Sequence, residues 1–178
     1  MINIQLVDDE PQILTALQRL LRPQGWSLHL FDNPEEALSA LAEHQYAAIV
    51  CDLNMPQLDG LNYLQFARQR QPDAVRLLLS AHGDRATLMQ AINRAEVYRF
   101  LSKPWVNYEI ETALQAAVDL YLLRDENRRL LEQVRGQQHT LDRQRRELLR
   151  LEAEHPGLTR VRRDHDGAVL LDGYDLDD

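Results

Sequence analysis

The sequence predicts an α/β fold, a doubly wound parallel sheet of five strands with helices on both faces, continued by an extended C-terminal helix. Three observations predict it. Five short apolar runs of strand length recur over residues 2–7, 27–31, 47–51, 75–79 and 97–101. Longer stretches with helical spacing separate them. Past residue 107 the alternation stops, and a helical pattern runs without proline as far as Pro156. Repeated strand–helix alternation favours parallel strands joined by crossover helices.

Each element has its own signal. The first strand, over 2–7, leads into a helix over 12–21 whose stripe is Ile13, Leu14, Leu17, Leu20 and Leu21. The second strand leads to Asp32 or Asn33 as cap for a helix from Pro34, with Ala37, Leu38 and Leu41 on its apolar face. The third strand ends in "IVCDLNMP", an apolar run that closes on a carboxylate. Helices over 61–70 and 85–94 follow the third and fourth strands in the same way. In open sheets of this kind, ligands bind outside the carboxyl ends of the strands. The residues that follow the strands are Asp8-Asp9-Glu10 after the first, Asp52 after the third, Ser80-Ala81 after the fourth and Ser102-Lys103-Pro104 after the fifth.

The rest of the composition narrows the function. The chain has 178 residues, enough for one domain with a real core plus an appendage. No apolar run is long enough to span a bilayer, and "MINIQLVDDEPQ" lacks the pattern of a secretion signal. Cys51 is the only cysteine, so no intramolecular disulfide forms and a cytoplasmic location is expected. A formal charge of −8 argues against bulk attraction to nucleic acid or to anionic lipid. The histidines are scattered, and no glycine-rich phosphate loop or nucleophile elbow is present.

The domain expected over 1–122 is followed by a helical extension over 123–155 that admits a heptad register. Ala113, Leu120, Asn127, Val134, Leu141 and Leu148 take one seam position; Ala116, Leu123, Leu130, Gln137, Gln144 and Leu151 take the other. Nine of these twelve are apolar, which supports a self-associating coiled coil and hence a homodimer. Asn127 is the kind of seam residue that sets register, whereas Gln137 and Gln144 weaken the middle. The first turns differ, because Ile110, Leu114 and Ala117 are expected to face the sheet. The tail over 156–178 reads as a hairpin around Asp166-Gly167, which is marginal unless it docks.

Asp8, Asp9 and Asp52 are expected to converge at one edge of the sheet. Three carboxylates repel unless a cation joins them, and all-oxygen ligands with open water positions suit Mg²⁺. Lys103 supplies a point charge for an anionic oxygen, and Ser80 a hydroxyl. Together they make a site for phosphoryl transfer onto a carboxylate, in which catalysis is positioning and charge neutralisation. Asp52, after the middle strand, is the central candidate. Taken singly these residues have plainer readings: Asp8-Asp9-Glu10 as an acidic helix start, Asp59-Gly60 as a turn, Lys103 as a solvated charge. Their ordered joint occurrence favours the site.

The four motifs "VDDEP", "CDLNMPQLDG", "LLLSAHG" and "YRFLSKPW", in order and each at its own strand, make residues 1–122 resemble the receiver domain of two-component response regulators. The resemblance implies a flavodoxin-like fold with strand order 2-1-3-4-5. It implies that Asp52 accepts a phosphoryl group from a histidine kinase or phosphotransfer protein. Asp9, Asp52 and the backbone carbonyl of Asn54 would hold Mg²⁺, with Asp8 acting through a metal-bound water. Lys103 and Ser80 would contact the phosphoryl oxygens. Ser80 and Phe100 would form the switch, Phe100 standing where many members have Tyr. Asn54 and His82 occupy the positions that tune phosphoryl lifetime.

The leading functional expectation is therefore a signalling switch that is not an enzyme on external substrates. It would read out through the fourth helix, fifth strand, fifth helix and coiled coil, either as a stand-alone regulator or as part of a longer one. Two alternatives stand beside it. An aspartate-based phosphatase or phosphotransferase usually carries a second acid two residues past the nucleophile, where this chain has Asn54. A non-phosphorylated dimerisation scaffold would need no intact Asp8, Ser80 and Lys103.

Overall fold

A computed structural model describes residues 1–56, 58–81 and 95–156. The strands are β1 (Asn3–Val7), β2 (Ser27–Phe31), β3 (Ala48–Asp52), β4 (Val75–Ala81) and β5 (Arg99–Lys103), all parallel in the order β2-β1-β3-β4-β5. The helices are α1 (Pro11–Leu21), α2 (Pro34–Glu43), α3 (Gly60–Arg70) and the C-terminal helix (Asn107–Glu154). The helix expected over 85–94, His82 and the tail hairpin lie outside the described residues.

Alternation along the strands divides the core in two, because successive side chains point to opposite faces. Ile4, Leu6, Val50, Leu77 and Leu79 pack with Leu14, Leu17 and Leu21 of α1 and with Ile110, Ala113, Leu114, Ala117 and Val118 of the C-terminal helix. Val7, Ile49, Cys51 and Leu78 pack with α2 and α3 on the other face. Each fully buried leucine or isoleucine contributes about 1.5–3 kcal/mol. On β1 the second face also holds a polar residue. Gln5 is fully buried, donates to the Ala37 carbonyl at 2.8 Å and accepts from the Tyr63 hydroxyl at 2.5 Å. One side chain thus ties β1 to both helices of that face.

Local chemistry sets the helix ends. Pro11 opens α1, where its missing N–H costs nothing. Gly25, at φ 73°, ends the short 3-10 turn Arg22–Gln24 that follows. Of the two caps considered for α2, Asn33 is the one used: its side chain accepts from the Glu35 N–H at 2.8 Å. Asp59 caps α3 by accepting from the Asn62 N–H at 2.9 Å.

Two expectations are corrected. The polar residues assigned to positions after the strands belong to the strands themselves: Asp52 pairs with Leu79, Ser80 with Ser102 and Ala81 with Lys103. The parallel ladder continues through them because backbone pairing does not depend on side-chain polarity. β5 accordingly starts at Arg99, two residues later than the apolar run. Leu120, placed on the seam, is instead half-buried and packs with Tyr121 against the α1 side of the core, and Ala113 is fully buried there. The stripe that faces the sheet overlaps the first heptads and claims them.

The chain divides into compact units Met1–Arg128 and Arg129–Asp178. In the first, Arg128 forms ion pairs with Asp73, in the loop before β4, and with Asp125. In the second, Leu130, Val134, Leu141 and Leu148 are each more than half exposed along the helix, with Leu131 and Leu149 beside them.

Candidate functional site

The carboxyl edge of the sheet gathers charge. Asp8 follows β1, Asp52 is the last residue of β3, and Lys103 is the last residue of β5. Lys103 reaches across the end of β4, and its Nζ lies 2.7 Å from Asp8 Oδ2, 2.7 Å from Asp52 Oδ1 and 3.4 Å from Glu10 Oε1. The peptide bond between Lys103 and Pro104 is cis.

Each buried carboxylate is also held by the backbone two residues on. Asp8 Oδ1 accepts the Glu10 N–H at 3.0 Å, and Asp52 Oδ2 accepts the Asn54 N–H at 2.8 Å. Such turns fix the direction of the carboxylate. An apolar strand can therefore end on Asp52: one oxygen meets an amide and the other an ammonium, so burial leaves neither unpaired. The neighbouring Cys51 is an inert part of the core, its thiol pushed well up by burial and by the Asp52 charge.

The charges perturb one another. Burial raises the Asp8 carboxyl above its ordinary value, against the opposing pull of the Lys103 ammonium. Burial alone would lower Lys103, but its close contacts with Asp52 and Asp8 outweigh this and raise it, so the ammonium stays charged. Asp8 Oδ2 is buried and receives no directed hydrogen bond; at 2.7 Å its contact with Nζ is one of charge. Two carboxylates against one ammonium leave the pocket with net negative charge.

Asp9 does not join this cluster. It is half-buried in the turn after Asp8 and forms no hydrogen bond or ion pair among the described residues. Nor do any three His, Cys, Asp or Glu side chains among those residues stand together as a metal-holding group; the Lys103 ammonium lies 2.7 Å from both Asp8 and Asp52. The donor set nevertheless fits a hard divalent cation. Asp8 Oδ2 lacks a hydrogen bond, the oxygens are anionic, and Mg²⁺ needs only one or two carboxylates beside water.

Ser80 is half-buried on β4, next to Leu79, the ladder partner of Asp52. Phe100 is half-buried on β5 and packs against the α2–α3 side of the core, paired in register with Leu78. Asn54 is exposed beside Asp52. Sequence reasoning treated Glu10 only as part of an acidic run; its contact with Lys103 depends on a pairing 93 residues distant.

Comparison with known proteins agrees with this geometry. The response regulator receiver domain family matches residues 4–115. The hydrogenase transcriptional regulatory protein HoxA of Bradyrhizobium diazoefficiens is 32% identical over 124 residues, covering 70% of this chain and 25% of that protein. The C4-dicarboxylate transport transcriptional regulatory protein DctD of Pseudomonas aeruginosa is 28% identical, with 72% and 28% covered. The chain thus spans about a quarter of the length of these relatives. Among solved structures, the signal receiver domain of an HD domain-containing protein from Pseudomonas fluorescens superposes with a TM-score of 0.67 at 35% identity, over 70% of this chain and 92% of that one. An adenylate cyclase structure from Rhodopirellula baltica gives 0.69 at 32% identity, over 73% and 96%. With the strand order, the paired acids and the bridging lysine in place, the chain belongs to the response regulator receiver domain family.

Proposed function

We propose that the chain is a phosphorylation-dependent switch whose acceptor is Asp52, with a histidine kinase or phosphotransfer protein as donor. The observation that carries this reading is the Lys103 ammonium, 2.7 Å from both Asp52 and Asp8 at the open edge of the sheet. An Asp52 carboxylate oxygen attacks the phosphorus. The donor's phosphorus–nitrogen bond breaks and an acyl phosphate forms, with the proton required by the departing imidazole supplied by the donor side. Lys103 then faces phosphoryl oxygens instead of a free carboxylate, and the Ser80 hydroxyl supplies a further donor. Mg²⁺, held by Asp8, Asp9, Asp52 and the Asn54 carbonyl, would neutralise charge on the transferring group. The chain acts on itself and is not an enzyme on other substrates: Asn54 offers no acid two residues past Asp52.

The added charge biases Ser80 and Phe100, and the readout passes to the fifth strand and the C-terminal helix. That helix carries a dimer. Leu123, Leu130, Val134, Leu141 and Leu148, at 52–63% exposure, follow heptad spacing, which suits a coiled coil with a second copy. A cytoplasmic location fits the single reduced cysteine. No described helix is long and apolar enough to cross a membrane.

Intact mass after incubation with Mg²⁺ and a small acyl-phosphate donor tests the reading. One phosphoryl group is expected on wild type and none on Asp52→Asn. No addition to wild type would favour an idle scaffold, and addition to both would place the acceptor elsewhere.

A further inference from the structure

Where β3 hands over to α3, two backbones meet with no room between them. Gly60 is the first residue of α3, and its N–H donates to the Leu53 carbonyl at 2.9 Å. A Cβ at Gly60 would lie 1.9 Å from the Asp52 carbonyl oxygen, 2.8 Å from the Asp52 carbonyl carbon and 3.0 Å from the Leu53 Cα. Gly60 is helical, so the demand is for space and not for an unusual backbone angle. All three obstructing atoms are backbone, so no side chain can swing aside to relieve the contact. On one side, Asp52 is pinned by the β3–β4 ladder, where Leu53 N–H also donates to the Leu79 carbonyl at 2.8 Å. On the other, α3 is anchored by buried Leu61, Tyr63, Leu64 and Ala67. Any added atom must drive these two bodies apart.

We infer that Gly60 is a positioning residue for the acceptor: the bare start of α3 bears on the Asp52 backbone and sets where its carboxylate stands relative to Lys103. This rests on the reading of Asp52 as acceptor. Asp52 Oδ2 takes its hydrogen bond from Asn54, inside the same turn, so displacing the Asp52–Leu53 backbone moves the carboxylate and its amide partner together. Lys103 comes from β5 and does not follow. A displacement near 1 Å in a reacting group costs on the order of 100-fold in rate.

The experiment compares wild type, Gly60→Ala and Asp59→Ala. The second variant is the control for helix stability. It removes the cap that Asp59 provides to the Asn62 N–H and places no atom against Asp52. Phosphoryl uptake from a small acyl-phosphate donor is followed by intact mass across donor concentrations, per folded molecule from urea curves, together with the ¹³C resonance of the Asp52 carboxylate. For Gly60→Ala the saturating rate is expected to fall about 10- to 100-fold. The half-saturating donor concentration should stay put, and the Asp52 resonance should shift. Asp59→Ala should lose stability but keep its rate within about twofold and its Asp52 resonance in place.

Equal rates in wild type and folded Gly60→Ala would overturn the inference, as would equal losses in both variants. A Gly60→Ala chain that cannot be folded even with a stabilising osmolyte would assign Gly60 to the fold alone and also overturn it. If wild type takes up no phosphoryl group, the acceptor reading fails. The placement of Asp52 by Gly60 is then decided by the carboxylate resonance, a shift in Gly60→Ala supporting it and an unmoved resonance refuting it.

Discussion

Arg76 and Lys103 are both cations drawn into the domain, and the two ends of the sheet hold them in opposite ways. Arg76 stands near the amino end of β4 with its side chain 3% exposed. Its Nε donates to the Ala95 carbonyl at 2.8 Å, and Nη1 donates to those of Ala74 at 2.7 Å and Pro72 at 3.3 Å. Glu96 is 3.5 Å away and shared with Arg68 at 2.5 Å. Lys103, at the carboxyl end of β5, is surrounded by carboxylates instead. Neutral carbonyls in a fixed fork specify one geometry, and that suits a guanidinium whose task is to tie the loop before β5 to the start of β4. Charged oxygens around a flexible ammonium make a balance of charge that changes as soon as one of them is modified. One end of the sheet is built to stay as it is, and the other to respond.

The largest effect should come from breaking the fixed end. Arg76→Leu strands the Ala95 and Ala74 carbonyls in a buried place and frees Glu96, held at φ 49°, from one partner. A loss of about 3 kcal/mol or more is expected in urea unfolding. Arg76→Lys should recover little of it, since an ammonium cannot reproduce the fork. Phosphoryl uptake per folded molecule should be unchanged, because the residue belongs to the opposite end of β4 from Ser80. A selective loss of uptake at full stability would erase the contrast between the two ends.

Breaking the responsive end should cost less and behave differently. Lys103→Met leaves the buried Asp8 and Asp52 carboxylates without their shared counter-charge. About 2 kcal/mol of stability is expected to go at neutral pH, below the roughly 3–5 kcal/mol of a fully buried pair because the Lys103 side chain is 14% exposed. Unlike the loss at Arg76, this one should be largely restored by millimolar Mg²⁺, because a divalent cation can replace the missing ammonium between the acids. Urea curves with Mg²⁺ and with a chelator decide it. A deficit that Mg²⁺ does not touch would mean that Lys103 acts through packing alone.

These two ends also differ in how far the sequence exposed them. Asp8, Asp52 and Lys103 stood out because a polar residue closing an apolar run breaks the local pattern, and such breaks mark functional places. The same rule shortened β5: Val97 and Tyr98 looked like strand and Ser102-Lys103 like loop, whereas the ladder runs through Lys103. Nothing local marks Arg76 or Gln5. Gln5 meets Tyr63 from 58 residues away, and Arg76 meets Ala95 from 19. A period-two pattern says that such a residue is buried but not what satisfies it. Asp9 shows the converse limit. Adjacency to Asp8 suggests a shared contact, yet Asp9 forms no ion pair with Lys103 among the described residues, whereas Asp8 lies 2.7 Å from it. On the C-terminal helix, Leu120 fits the heptad and also the stripe facing the core, and only packing distinguishes the two.

The smallest expected effect lies at the sheet's edge strand and sharpens the contrast through a titrating group held by neutral partners. His29, on β2, has Nδ1 3.0 Å from the Tyr46 hydroxyl and Nε2 3.2 Å from the Ser27 hydroxyl, with His44 edge-on at 4.6 Å between ring centroids. Neutral imidazole suits both hydroxyls, one nitrogen accepting and the other donating. Burial pushes the Tyr46 phenol up to about 12, so it remains a proton donor over the whole range of interest. Burial lowers the His29 pKa, and the neighbouring His44 lowers it further. The unfolded chain therefore binds a proton at His29 before the folded one does. Its contribution to stability is complete above the unfolded value of 6.5 and is lost as pH falls through the lower folded value. The unfolding free energy from urea curves should drop between pH 7 and 5 by less than the roughly 1.4 kcal/mol per pH unit that one full proton allows. His29→Gln should flatten that slope. His44→Gln should leave a shallower slope of the same sign, since burial, the larger cause, remains. A slope that survives intact in His29→Gln would move the titration to another group. The part of the slope that His29→Gln removes should be the same in a Lys103→Met background, because the two sites lie on different strands and share no partner.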